Sequence, residues 1–147
     1  MKITTRGAYG LRFLLDLAIH GGRASVSLHD ISRRQGISEK YLWQVIAPLR
    51  SSGIIRSQRG AQGGYRLAKP AAGISLRAVL EALEGEAEIP ALPRAPAGRD
   101  RDAGVVARAA LQALVRAWRT AADAVTLEAL AEDHRRMKSH GALMYEI

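Results

Sequence analysis

SLHDISRRQGISEKYLWQVIAPLRSSGIIRSQRGAQGGYRLAK, residues 27–69, reads as two short helices joined by a tight turn and followed by a hairpin. Ser27 is placed to cap the backbone N–H of Asp30 while the Asp30 carboxylate reaches back, and the first helix ends before Gly36. Ser38 caps the second helix, and Glu39 suits its positive first turn. Leu42, Val45, Ile46 and Leu49 recur at helical spacing and predict a core face. The other face collects Lys40, Tyr41, Trp43, Gln44 and Arg50, donors and rings that suit a DNA groove. Pro48 removes an N–H inside this helix and predicts a bend or loosening, or simply an earlier end to the helix. After Gly53, an apolar strand, a glycine-rich reversal and a second strand closed by Pro70 predict a hairpin. Helix, turn, helix and basic hairpin together make a winged helix-turn-helix.

Charge is distributed to match. The 147-residue chain carries a net +8, all of it before residue 86: 13 Lys and Arg stand against 5 Asp and Glu there, and 9 against 9 afterwards. A basic module joined to a neutral one fits a reader of double-stranded DNA with a separate assembly element. A membrane-surface role asks for a basic amphipathic helix, and here the charge is spread over a mixed helix and hairpin, so no membrane partner is expected. The chain has no cysteine, which excludes disulfides, thiolate catalysis and thiolate-bound metal. Its N-terminus lacks a signal h-region and no apolar run reaches spanning length, so the expected location is the cytoplasm. The four histidines are scattered and no nucleophile and base are paired, so no enzyme is expected.

Taken in order, Thr4 or Thr5 caps a first helix to about His20, with Leu11, Leu14, Leu15, Ala18 and Ile19 at helical spacing and Gly21-Gly22 as its stop. Lys2, Thr4 and Arg6 ahead of it either lie along a duplex backbone or are simply solvated. Arg33 and Arg34 suit the negative end of the second helix. Trp43 sits one position off the apolar stripe and either packs on a neighbouring helix or contacts a thymine methyl or the sugar-phosphate wall. In the wing, Gly60, Gly63 and Gly64 permit the reversal and a close approach to a narrow groove, with Arg59 beside them as the minor-groove residue. No GK[ST] follows those glycines, which argues against a nucleotide loop. Ser75 caps a helix through Leu76, Val79, Leu80 and Leu83 to Gly85, closing a domain over residues 1–85. Residues 86–104, rich in Pro, Gly, Ala, Arg and Asp, predict a linker or mobile loop. Residues 105–147 then supply a long helix and a short last helix capped by Thr126, with a tail from Ser139. Ala107, Leu111, Leu114, Trp118, Ala121 and Val125 fall at alternating steps of four and three, a seam that predicts a two-fold homodimer; the alternative is packing on its own domain. The expected fold is mainly α with a small β-hairpin.

These pieces resemble the Rrf2 family of bacterial transcription regulators. The resemblance rests on MKITTRGAYGLRFLLDLA, the helix-turn-helix DIS..QGIS.KYL, PLRSSGII and the wing RGAQGGYRLAKP, and it covers nearly the whole chain. It implies a homodimer on an imperfect palindrome, with Ser38, Tyr41 and Gln44 on the major groove and Arg59 on the minor groove. Many members hold an iron–sulfur cluster through cysteines in the loop before the long helix. Here that loop has none, so no cofactor is expected; His134, His140 and Asp133 do not share a helical face that would replace them. ISLRAVLEALEG, TLEALA and the ending ALMYEI are similar to the cluster-free branch that regulates cysteine metabolism. That resemblance implies a partner, cysteine synthase, docked by the tail residues Tyr145, Glu146 and Ile147; the alternative is that the tail covers the dimer interface. A small-molecule effector between domain and dimer helix is the other partner the sequence leaves open.

Overall fold

The computed structural model describes residues 3–22, 24–89 and 101–144. Among them, α1 (Thr5–His20), α2 (Leu28–Gln35) and α3 (Glu39–Ser51) lead into β1 (Ile55–Gln58) and β2 (Gly64–Leu67); α4 (Leu76–Glu84), α5 (Arg101–Ala124) and α6 (Leu127–Met144) follow. The caps fall where the hydroxyls stand. Thr4, Ser27, Ser38 and Ser75 each accept a backbone N–H two or three residues on. Gly36 takes the left-handed conformation that ends α2, at φ 63°. At Ser27 the Asp30 carboxylate reaches back as expected, accepting from the Ser27 hydroxyl at 2.6 Å. Pro48 lies inside α3, which runs on to Ser51 and does not end early.

The core lies where α1, α3 and α4 meet, around Phe13, Leu14, Leu42, Val45, Leu49, Val79 and Leu83, all buried. Ile31 adds α2 to it and Leu127 adds α6. Two small residues let α1 approach α4: a Cβ on Gly10 would lie 2.2 Å from a Leu83 methyl, and one on Gly7 would lie 2.5 Å from Glu84. The hairpin pairs Ile55 with Leu67 and Ser57 with Tyr65 in antiparallel register. A bridge from Val26 to Tyr65 adds a strand-like residue on the other edge of β2, with backbone hydrogen bonds of 2.9 and 2.8 Å. The wing is therefore clasped by the segment that precedes α2.

The C-terminal region departs most from expectation. Helix α5 begins at Arg101, so residues 101–104 belong to it and the linker is shorter; Ala103 is a strong helix former and Asp102 stands at the positive end of the dipole. Within residues 86–89, Ala87 is buried and its carbonyl accepts from Arg119 at 3.4 Å. Residues 90–100 lie outside the described residues. Helix α6 is 18 residues long and absorbs the expected tail as far as Met144. Thr126 does cap it, at 3.2 Å from the Ala129 N–H. The α5–α6 joint is fastened to the start of α4 by Leu76 N–H to the Val125 carbonyl (2.8 Å) and Leu127 N–H to the Ile74 carbonyl (2.9 Å).

Candidate nucleic-acid interface

Between Glu39 and Glu81 the chain has no acidic residue. Lys40 and Arg50 on α3, Arg56, Arg59 and Arg66 on the hairpin, and Lys69 after it are all exposed, and among the described residues none has a carboxylate partner. On the first two helices and α4, by contrast, Arg6 faces Glu84, Arg33 faces Asp30, Arg34 faces Asp16 and Arg77 faces Asp123. The second helix of the helix-turn-helix and the wing thus carry six exposed cations in a stretch with no acidic residue of its own. Such a surface lowers its energy by taking an external polyanion.

The apolar and polar faces of α3 divide as expected. Leu42, Val45, Ile46 and Leu49 are buried, while Lys40, Tyr41, Trp43, Gln44 and Arg50 are exposed. Ser38 caps the Tyr41 N–H at 3.3 Å and keeps its own hydroxyl proton for another acceptor. Tyr41 is 42% exposed and meets Tyr9 edge to face, at 5.3 Å between ring centroids. Trp43 packs on the wing rather than on a neighbouring helix and stays open to solvent. It is 56% exposed, and its ring also stands edge to face on Tyr65 at 6.4 Å. Tyr65 touches Phe13 in turn, at 5.9 Å, so aromatic contacts run from the core through the wing to the exposed face of α3. Burial pushes the Tyr65 phenol up from its ordinary pKa, against the pull of Arg50.

At the wing tip, Arg59 is exposed beside Gly60, which has φ 113° and open space around it. The other two glycines have structural reasons. A Cβ on Gly63 would lie 2.6 Å from the Gln58 carbonyl, and one on Gly64, at φ 155°, would lie 2.2 Å from the Val26 carbonyl. Thr4 and Arg6 are brought to α4. The Glu84 carboxylate accepts from the Thr4 hydroxyl (2.7 Å), the Thr4 N–H (3.0 Å) and the Gly7 N–H (2.9 Å), and so caps α1. Burial raises the Glu84 pKa, but these bonds and Arg6 outweigh it and hold the carboxyl below its usual range. Lys2, Tyr145, Glu146 and Ile147 lie outside the described residues.

Sequence reasoning missed the anchor of the helix-turn-helix. Asp16 on α1 is fully buried and receives Arg34 at 2.6 and 3.0 Å and the Gln35 amide at 2.9 Å. Burial raises its pKa, yet the bonds from Arg34 and Gln35 and the Arg34 charge dominate, leaving it below the ordinary value. Arg34 is therefore more than a dipole-end cation. An aspartate at a helical core position, eighteen residues before an arginine, was the available signal.

The seam on α5 is only partly unpartnered. Leu111, Leu114 and Ala121 are exposed, whereas Trp118 and Val125 are half-buried and the residue buried against the head is Ala122, one step off the stripe. Val105, Val106 and Met137 add exposed apolar area the seam did not include. Between head and α5, a cleft of about 320 Å³ is lined by Ile3, Leu80, Glu84, Ala87 and Trp118, where an effector was left open. No described helix is long and apolar enough to cross a membrane.

The family model of an iron-dependent transcriptional regulator, Rrf2, matches residues 3–133. The donor set here does not fit iron. Cysteine is absent, Asp133 pairs with Arg136, His140 lies against the Arg136 carbonyl at 3.0 Å, and no three metal-binding side chains converge among the described residues. Protein rrf2 of Nitratidesulfovibrio vulgaris is 53% identical over 90 residues, 61% of this chain and 59% of that protein. The regulator IscR of Vibrio vulnificus is 45% identical over 57% of this chain and 50% of its own length. The match thus spans little more than half the length of these relatives. Among solved structures, CymR, the global cysteine regulator of B. subtilis, is 34% identical, with 90% of this chain and 97% of that one covered and a TM-score of 0.72. These proteins are regulators, not enzymes, and the chain belongs to the Rrf2 family of transcriptional regulators, sharing its winged helix-turn-helix.

Proposed function

We propose that this chain is a cytoplasmic, homodimeric, sequence-specific DNA-binding repressor that works without an iron–sulfur cluster. Residues 1–85 read DNA and residues 105–147 assemble the dimer. The observation that carries the reading is the set of six exposed cations on α3, the hairpin and its exit that have no carboxylate partner among the described residues. In this reading α3 enters the major groove with Ser38, Tyr41, Trp43 and Gln44 toward bases and sugar-phosphate, Lys40 and Arg50 take phosphates, and Arg59 enters the minor groove where Gly60 lets the tip approach. Two heads joined through Leu111 and Leu114 address half-sites about one helical turn apart. Occupancy of a promoter palindrome then excludes polymerase.

The test is a fluorescence-anisotropy titration against the DNA upstream of the chain's own gene, beside a shuffled fragment, at two salt concentrations. A preference of about a hundredfold that survives the higher salt supports the reading; equal, salt-labile binding to both overturns it for this operator. Arg59→Ala is expected to cost roughly 1–3 kcal/mol on the preferred site and to relax one minor-groove step, while Lys40→Ala weakens all sequences alike. Equal losses on both fragments for Arg59→Ala would remove its reading role. Chelator and oxidant should leave affinity unchanged.

A second reading rests on the sequence resemblance of the ending ALMYEI alone: cysteine synthase docks on Tyr145, Glu146 and Ile147. Deleting those three residues should abolish enzyme binding and spare both DNA affinity and the dimer. Loss of the dimer would make the tail structural.

A further inference from the structure

We propose that Tyr9, on α1, is a specificity-determining positioning residue that holds the Tyr41 ring in the orientation from which α3 reads DNA. The inference rests on the DNA-reading function proposed above. Tyr41 is the third residue of α3 and is exposed; its N–H is held by Ser38, but among the described residues its phenol makes no hydrogen bond. An exposed ring with no anchor visits several rotamers, and each unproductive one dilutes affinity for the right sequence. The Tyr9 ring meets it at 5.3 Å with the planes 81° apart, the edge-to-face geometry that favours one orientation. A contact between a half-buried and an exposed ring removes little surface from water, so its main effect is on orientation.

Tyr9 is itself fixed from behind. The Arg12 guanidinium lies 6.0 Å from its ring centroid. Arg12 donates to the Gln35 side-chain oxygen at 3.3 Å and to the Gln35 backbone carbonyl. The Gln35 amide nitrogen in turn donates to Asp16, which is fully buried. With both ends of its amide engaged, Gln35 has one orientation. Contacts therefore run unbroken from a buried carboxylate, across the last residue of α2, to a ring exposed in the first turn of α3. They bracket the turn of the helix-turn-helix, and Tyr9 is where they reach the reading face.

The experiment enriches a random-sequence duplex pool with the full-length wild-type protein and titrates the winning duplex and a random one with Tyr9→Leu, Tyr9→Phe, Tyr41→Leu and the double variant Tyr9→Leu/Tyr41→Leu. Tyr9→Leu should lose about three- to tenfold in affinity for the selected duplex, with random DNA unchanged. Tyr9→Phe, which keeps the ring, should match wild type. In the Tyr41→Leu background Tyr9→Leu should cost nothing more. Without DNA, ¹³C-tyrosine spectra should show the Tyr41 ring resonance moving in Tyr9→Leu and staying in Tyr9→Phe. Equal losses for Phe and Leu would place the Tyr9 hydroxyl on DNA and overturn the proposal, as would additive losses or a silent Tyr9→Leu. If Tyr9→Leu melts early, Arg12→Met frees the Tyr9 ring from outside and carries the same arms. A pool from which wild type enriches nothing brings down the DNA reading itself, and this role with it.

Discussion

An added Cβ at Gly64 would lie 2.2 Å from the Val26 carbonyl oxygen, and no side-chain rearrangement relieves a clash with backbone. Gly60, four residues earlier, has a positive φ but open space. Urea melts should separate them: Gly60→Ala is expected to cost about 1–3 kcal/mol of backbone strain, and Gly64→Ala at least about 3 kcal/mol with partial loss of the wing. At Asp16, Asp16→Asn leaves Arg34 facing a neutral amide. Because the Arg34 side chain keeps 31% exposure and finds water, about 3 kcal/mol is expected, the low end for a broken buried pair. Asp16 and Glu84 both have pKa values depressed by folding, so each stabilises the fold above the unfolded carboxyl value near about 4 and loses that contribution as pH falls through its folded value. The melting temperature should hold level on the way down to about pH 5 and drop below about pH 4, with a shallower drop for Asp16→Asn.

At the scale of elements, the helix caps, the αL stop at Gly36, the amphipathic face of α3 and the hairpin were all legible, because each is dictated by neighbours in the chain. Removing the Ser38 cap by Ser38→Ala should lower stability by about 1 kcal/mol, read from thermal melts, before any effect on DNA. What was not legible depends on residues far apart. Arg34 looked like an end-of-helix cation until α1 brought Asp16 to it, and Thr4 looked like a cap or a backbone contact with no link to α4 until Glu84 met it. The Val26 bridge to Tyr65 joins single residues, too short a run for alternation to signal. On α5, periodicity found the stripe but not its partner: Ala122, rather than the expected seam residues, is the position buried by the head. The extent of α6 was underestimated because its polar, weakly patterned sequence hides a helix that its anchored first turn supports.

At the scale of the whole molecule, Leu111, Leu114, Val105 and Val106 present apolar area that the described head does not cover. Leu114→Glu should convert the proposed dimer into a monomer in sedimentation velocity, leave the head's melting nearly unchanged, and lower affinity for a palindrome far more than for a single half-site. A variant that remains dimeric would move the interface to another face. The clasp between Val26 and Tyr65 has a consequence for how the protein comes into being. It encloses all of α2, α3 and β1 between two residues that touch, so the helix-turn-helix and the wing tip lie within a single closed loop of chain. On the ribosome, a nascent chain has both helices of the helix-turn-helix in hand well before Tyr65 emerges, yet the wing and the Trp43 contact have no support until it does.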